Sequence, residues 1–125
     1  MKTMLRLYNT LAERKEDFKP LKKQMVKIFT CGPSIYQPPH IGNYRTFLYE
    51  DLLVRHLRYR GFEVERAIIL TDIEDKALME AEKRRMSVKK ITDENAKRFF
   101  NEAKALSIDL PKRLARSSTT VDFAI

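Results

Sequence analysis

Apolar positions along this chain change period from block to block, and the changes predict its elements. A short strand is predicted at Leu5–Tyr8 within a polar, mixed stretch covering residues 1–24. Met25-Val26-Lys27-Ile28-Phe29-Thr30 is a largely apolar run of strand length, which predicts a buried strand. From about Asn43 to Arg60, Phe47, Leu48, Leu52, Leu53 and Leu57 recur at helical spacing and predict a helix with a broad apolar face. Gly61 stands where a left-handed residue would end that helix. Phe62–Leu70 predicts a second buried strand, closing on Ala67-Ile68-Ile69-Leu70. Thr71 and Asp72 are placed to cap a helix over Ile73–Arg85. A further helix is predicted from Ser87, its N-cap, to Leu106, with Val88, Ile91, Phe99, Ala103 and Leu106 inward and Pro111 beyond its end.

Strand, helix and strand in that order form a βαβ unit, a crossover between parallel strands. Such a sheet needs cover on both faces. Two parallel strands with three helices make an incomplete doubly wound α/β fold, so an open edge and one uncovered apolar face are expected. That predicts a dimer or a tendency to aggregate. The expected organisation is an N-terminal strand or hairpin extension over 1–24, an incomplete Rossmann-like domain over 25–116, and a segment cut short over 117–125. Its last residues, Val121-Asp122-Phe123-Ala124-Ile125, are mostly apolar.

The loop after the first core strand interrupts this regularity. Cys31-Gly32-Pro33-Ser34-Ile35-Tyr36-Gln37-Pro38-Pro39-His40-Ile41-Gly42 holds the single cysteine, two of the 3 glycines, three of the 5 prolines and one of the 2 histidines. Backbone-special residues crowded at a strand end predict a shaped loop, where function commonly resides.

Composition narrows the class. The 125 residues are 43% apolar and 34% charged, a globular balance. No apolar run is long enough for a membrane span, and Met1–Arg6 lacks the apolar stretch of a secretory signal. One cysteine excludes an internal disulfide framework and suits a reducing cytoplasm. The net charge of +8 favours polyanions such as nucleotide phosphates or tRNA. The basic residues are dispersed, however, and equally describe a lysine-rich solvated surface.

His40-Ile41-Gly42-Asn43 lies between a predicted strand's carboxyl end and a predicted helix's N-terminus. Ligands of open parallel sheets bind at that edge. Free N–H groups and the dipole of a helix start attract phosphate oxygens. His40 has a donor for an oxyanion, Gly42 permits close approach, and Asn43 offers both a cap and an amide donor. This outlines an adenine-nucleotide site, although neither a P-loop nor a G-x-G-x-x-G is present. Taken alone, the four residues also read as a capped helix with a histidine packed nearby.

Four ordered pieces extend the motif. They are Leu7-Tyr8-Asn9-Thr10-Leu11; Lys15-Glu16-Asp17-Phe18-Lys19-Pro20; Cys31-Gly32-Pro33-Ser34-Ile35-Tyr36 with His40-Ile41-Gly42-Asn43-Tyr44-Arg45-Thr46-Phe47; and Leu70-Thr71-Asp72-Ile73-Glu74-Asp75-Lys76. With these pieces the chain resembles the cysteinyl-tRNA synthetases, class I enzymes with an H-I-G-H signature, from Met4 to about Arg116. The resemblance implies the first half of a Rossmann-like, HUP-type nucleotide-binding fold. It also implies ATP-dependent activation of cysteine, with Mg²⁺, and transfer of the cysteinyl group to tRNA(Cys). By resemblance His40, Gly42 and Asn43 line the ATP site, with His40 and Asn43 catalytic, and Asn43 replaces the usual second histidine. Cys31, Gly32 and Thr71 are implied to bind the amino acid, with Cys31 a ligand of a zinc ion that takes the substrate thiolate.

The resemblance is partial. The family's other zinc ligands, its K-M-S-K-S loop and its tRNA-binding domains have no counterpart in these residues. Zinc needs at least three protein ligands, so a free thiol is the expectation for Cys31 here. The chain is expected to be inactive or nearly so alone, with the remaining half as its partner. Three alternatives stay open: a truncated paralogue that binds a nucleotide or partner, a cysteine ligase with a non-tRNA amine acceptor, and a basic RNA-binding chaperone.

Overall fold

The structure, a computed structural model, describes residues 5–121. Strands β1 (Arg6–Asn9) and β2 (Arg14–Asp17) form an antiparallel hairpin. The Asn9 side chain accepts from the N–H of Leu11 and of Ala12 and so shapes the connecting turn. β2 is charged at every position, Arg14-Lys15-Glu16-Asp17. Hydropathy therefore predicts nothing there, and cross-strand pairing with β1 makes the strand. Phe18 meets Phe62 edge to face at 6.1 Å, which ties the hairpin to the base of the main sheet.

The main sheet contains β3 (Met25–Ser34), β4 (Glu63–Thr71) and β5 (Arg113–Arg116), in the order β3-β4-β5 and parallel throughout. Helix α1 (Ile41–Tyr59) connects β3 to β4, and α2 (Asp75–Arg84) and α3 (Val88–Ala105) connect β4 to β5. The α/β class and the βαβ unit are as predicted. The third strand is a correction: Arg113-Leu114-Ala115-Arg116 is short, bounded by charges and free of β-branched residues, so neither propensity nor period marks it.

β3 also runs further than the apolar pattern predicts. It continues through Cys31-Gly32-Pro33 to Ser34, where the shaped loop was expected to have begun. The register with β4 moves from Cys31↔Ile69 to Ser34↔Thr71, so β3 carries an extra residue there, a bulge. Gly32 belongs at this bulge because a Cβ would lie 2.8 Å from Ile68 Cγ2 and 2.9 Å from the Ile69 carbonyl oxygen.

The core lies on one face of the sheet. Ile68 and Leu70 of β4 pack with Tyr44 and Phe47 of α1, and with Ala96, Phe99 and Ala103 of α3. Phe47 and Phe99 meet at 5.4 Å between ring centres. The buried stripe of α1 is Tyr44, Phe47, Asp51, Val54 and Leu57. The predicted face is thus corrected at Leu48 and Leu52, which are 40% and 62% exposed. Asp51 occupies the stripe because its carboxylate accepts from Arg55 Nε and from the Asp109 N–H, so burial leaves it satisfied. Leu106 is likewise 39% exposed instead of inward. Arg66 is buried beneath α1, where its Nη2 meets Glu50 Oε2 at 2.9 Å.

Among the described residues the opposite face of the sheet is open. Phe29 and Cys31 of β3 are exposed, beside the half-buried Ala67 and Ile69 of β4. Burial of the whole Met25–Thr30 run is corrected at Phe29, which is 68% exposed. The expected uncovered apolar face is present, and β3 is an edge strand among the described residues. Gly61, at φ +88°, ends α1 as predicted, and Ser87 caps α3 by accepting from the Lys90 N–H. Asp122–Ile125, part of the expected cut-short end, lies outside the described residues.

Candidate functional site

At the carboxyl edge of the sheet, the chain leaves β3 and enters α1 through Ile35–His40. Ile35 is fully buried. Its N–H donates to the Thr71 carbonyl, and its own carbonyl accepts from Asn95 Nδ2 at 3.0 Å. Both neighbours therefore fix this segment: the end of β4 from one side and α3 from the other.

His40 is the N-cap of α1, and its imidazole is exposed. Nδ1 accepts from the Gly42 N–H at 3.1 Å, and Asn43 Oδ1 accepts from the His40 N–H at 3.0 Å. This reciprocal cap assigns the tautomer. With Nδ1 an acceptor, the ring proton sits on Nε2 and is a donor. Asn43 in turn keeps Nδ2 as a donor. Gly42 serves this cap directly, because a Cβ there would stand 2.9 Å from His40 Cε1 and 3.0 Å from Nδ1.

One expectation changes. The helix-start amides are not all free: Gly42 N–H goes to the imidazole and Asn43 N–H to the His40 carbonyl. Outward hydrogen bonding thus passes from the backbone to Nε2–H of His40 and Nδ2 of Asn43. No acidic side chain occupies the first turn of α1, so the positive end of its dipole is uncompensated.

A cavity of about 420 Å³ opens at this edge. Its walls include Cys31, Gly32, Ser34, Tyr36, His40, Asn43, Thr46 and Lys76. Cys31, Gly32, His40 and Asn43 are thereby brought together as the sequence implied. Gly42 acts behind the wall through the cap, and Thr71 is half buried at the end of β4 outside the lining. Sequence reasoning did not single out Ser34 or Thr46, and it read Lys76 only as part of a motif bordering the site by resemblance. Thr46 lies one helical turn after Asn43, a spacing that would have placed it on the same face.

The predicted capping of α2 by Thr71 and Asp72 is corrected. Asp72 is buried and accepts from Ser118 N–H at 2.9 Å and Ser118 Oγ at 2.6 Å. With that carboxylate engaged, the helix starts later, at Asp75, and its N-cap Glu74 makes no side-chain cap bond.

Residues 17–125 match the family described as tRNA synthetases class I (C) catalytic domain. The chain belongs to that family. It is 44% identical over 119 residues to a cysteine–tRNA ligase of Methanosarcina mazei, which covers 95% of this chain and 25% of that protein. It is 41% identical over 119 residues to the cysteine–tRNA ligase of Methanosarcina acetivorans, with the same coverage. A third such ligase, from Solibacter usitatus, is 38% identical over 111 residues, 89% of this chain and 24% of that protein. The chain thus spans about a quarter of the length of the curated relatives it matches. The parallel sheet with its connecting helices is the Rossmann-like arrangement expected for a class I catalytic domain.

Zinc finds no complete site in these residues. Cys31 is a free, exposed thiol, and the described residues hold no cluster of three or more His, Cys, Asp or Glu able to take a metal. One sulfur does not make a zinc site. Among the described residues no helix is long and apolar enough to cross a membrane.

Proposed function

We propose that this chain is the N-terminal catalytic part of a cysteine–tRNA ligase and that its cavity binds ATP, as the magnesium complex, next to cysteine. The observation that carries this reading is the His40 cap. With Nδ1 taken by the Gly42 N–H, Nε2–H is left as a donor at an uncompensated helix N-terminus, on a residue that lines one cavity with Asn43 and Cys31. The reaction is attack of the cysteine carboxylate on the α-phosphate of ATP, with pyrophosphate leaving along the opposite side. His40 Nε2–H and Asn43 Nδ2–H donate to phosphate oxygens and stabilise the charge that builds up at phosphorus. Gly32 lets β3 pack closely on β4 at the bulge beside the amino acid, and the fixed loop from Ile35 to His40 holds the reactants in line. The cysteinyl group then passes to the 3′ end of tRNA(Cys), whose approach a +8 chain favours. The work is cytoplasmic.

Weak ATP binding and little cysteine-dependent pyrophosphate exchange are expected of these 125 residues. Calorimetric titration of ATP into the chain tests the reading. The expected result is measurable uptake that His40→Ala abolishes; unchanged uptake by His40→Ala would overturn it.

A further inference from the structure

We infer that Lys76, held against the ring of Tyr36, is a phosphate-binding residue of this site; the inference rests on the ATP reading above. Lys76 stands in the first turn of α2 and lines the cavity that His40 and Asn43 enter from α1. It is the sole cationic side chain of that lining, which contains no carboxylate. Its ammonium lies 5.7 Å from the centroid of the Tyr36 ring, and Tyr36 lines the same cavity. Among the described residues it has no carboxylate partner, whereas Arg84 of the same helix is paired with Glu80.

The placement opposes local preference. A cation in a first turn faces the positive end of the helix dipole, and α2 keeps its other basic residues, Lys83 and Arg84, in its last turn. Residues that break a local rule without a compensating contact concentrate at functional sites. Here the missing contact is an anion. The ring face steadies the ammonium through its quadrupole without neutralising it, so the full charge remains for a ligand. A lysine is a compact, strongly hydrated point charge suited to phosphate oxygens. The cavity thus offers donors from two helix starts, His40 and Asn43 from α1 and Lys76 from α2, with no acidic group to repel a triphosphate.

The test compares ATP, adenosine and cysteine uptake by the chain and by Lys76→Met, Lys76→Arg and Lys83→Met, using calorimetry. Lys83→Met removes the same charge at the far end of α2. Loss of a charge-assisted contact predicts about tenfold weaker ATP binding by Lys76→Met, with adenosine binding unchanged. Lys76→Arg should recover most of the loss, and Lys83→Met should bind as the parent does. Four results would overturn the inference: parent-like ATP affinity in Lys76→Met, equal weakening for adenosine, equal weakening by Lys83→Met, or a loss confined to cysteine. All four leave the nucleotide reading intact. If the unaltered chain takes up neither ATP nor adenosine, the nucleotide reading fails and the inference falls with it.

Discussion

His40 illustrates how one side chain can serve structure and chemistry at once. Its Nδ1 satisfies an amide at the start of α1, and this leaves the proton on Nε2, the donor that the proposed reading directs to a phosphate oxygen. Gly42 makes that geometry possible, because any side chain at 42 would press on the imidazole. Gly42→Ala is therefore expected to leave the fold intact while displacing the ring, and to weaken ATP binding almost as far as His40→Ala does. Thermal unfolding and calorimetry on the two variants check this; full ATP affinity in folded Gly42→Ala would contradict it. The motif's place between β3 and α1 was legible in the sequence because a strand-like run precedes it and helical spacing follows it. The direction of the cap was not: which of His40 and Asn43 accepts from which amide depends on side-chain rotamers that no spacing rule specifies.

Helix α3 is the element that holds the site still. Asn95 donates to the Ile35 carbonyl inside the core, and Glu102 accepts from the Tyr44 hydroxyl at 2.7 Å, next to the capped turn of α1. Asn95→Leu leaves the Ile35 carbonyl unsatisfied and should cost about 1–3 kcal/mol in chemical denaturation. It should also weaken nucleotide binding, although Asn95 is not among the cavity's lining residues. The Tyr44–Glu102 pair adds a pH dependence. The Tyr44 hydroxyl, and then Arg98, hold the Glu102 carboxyl below its ordinary value of 4.5. A carboxyl depressed in the folded state stabilises above its unfolded pKa and loses that contribution as pH falls through the folded one. The melting temperature should therefore drop as pH falls below about 4.5, and Tyr44→Phe should flatten that drop. Burial, reinforced by the Glu102 bond, raises the Tyr44 phenol above the ordinary tyrosine value, so its hydroxyl stays protonated as the donor at neutral pH. Elements with strong periodicity, such as α1, α3 and β4, were legible in the sequence. β2 and β5 were not, because pairing with a neighbour makes them strands and their side chains are mostly charged. Leu48 and Leu52 were placed on the wrong side of α1 because a buried Asp51 is polar by type and satisfied only by tertiary partners.

At the scale of the whole molecule, the described residues form a half-covered sheet. Helices bury one face, while Phe29 and Cys31 stand exposed on the other along an edge strand. Exposed apolar surface next to an unpaired edge drives self-association. Light scattering should show oligomers that grow with concentration, and Phe29→Lys should shift the chain toward monomer; a monomeric parent chain at high concentration would contradict this. That open face was foreseen from the incomplete strand count, since a parallel sheet needs two layers of cover. The central claim is that the cavity at the start of α1 receives ATP. It is tested most directly by titrating ATP into the isotopically labelled chain and following its nuclear magnetic resonance spectrum. The account predicts that the largest shifts fall on the His40 imidazole, the Gly42 amide and the Asn43 side-chain amide. Shifts confined to surfaces away from that cavity, such as the Phe18–Lys22 segment, would contradict it.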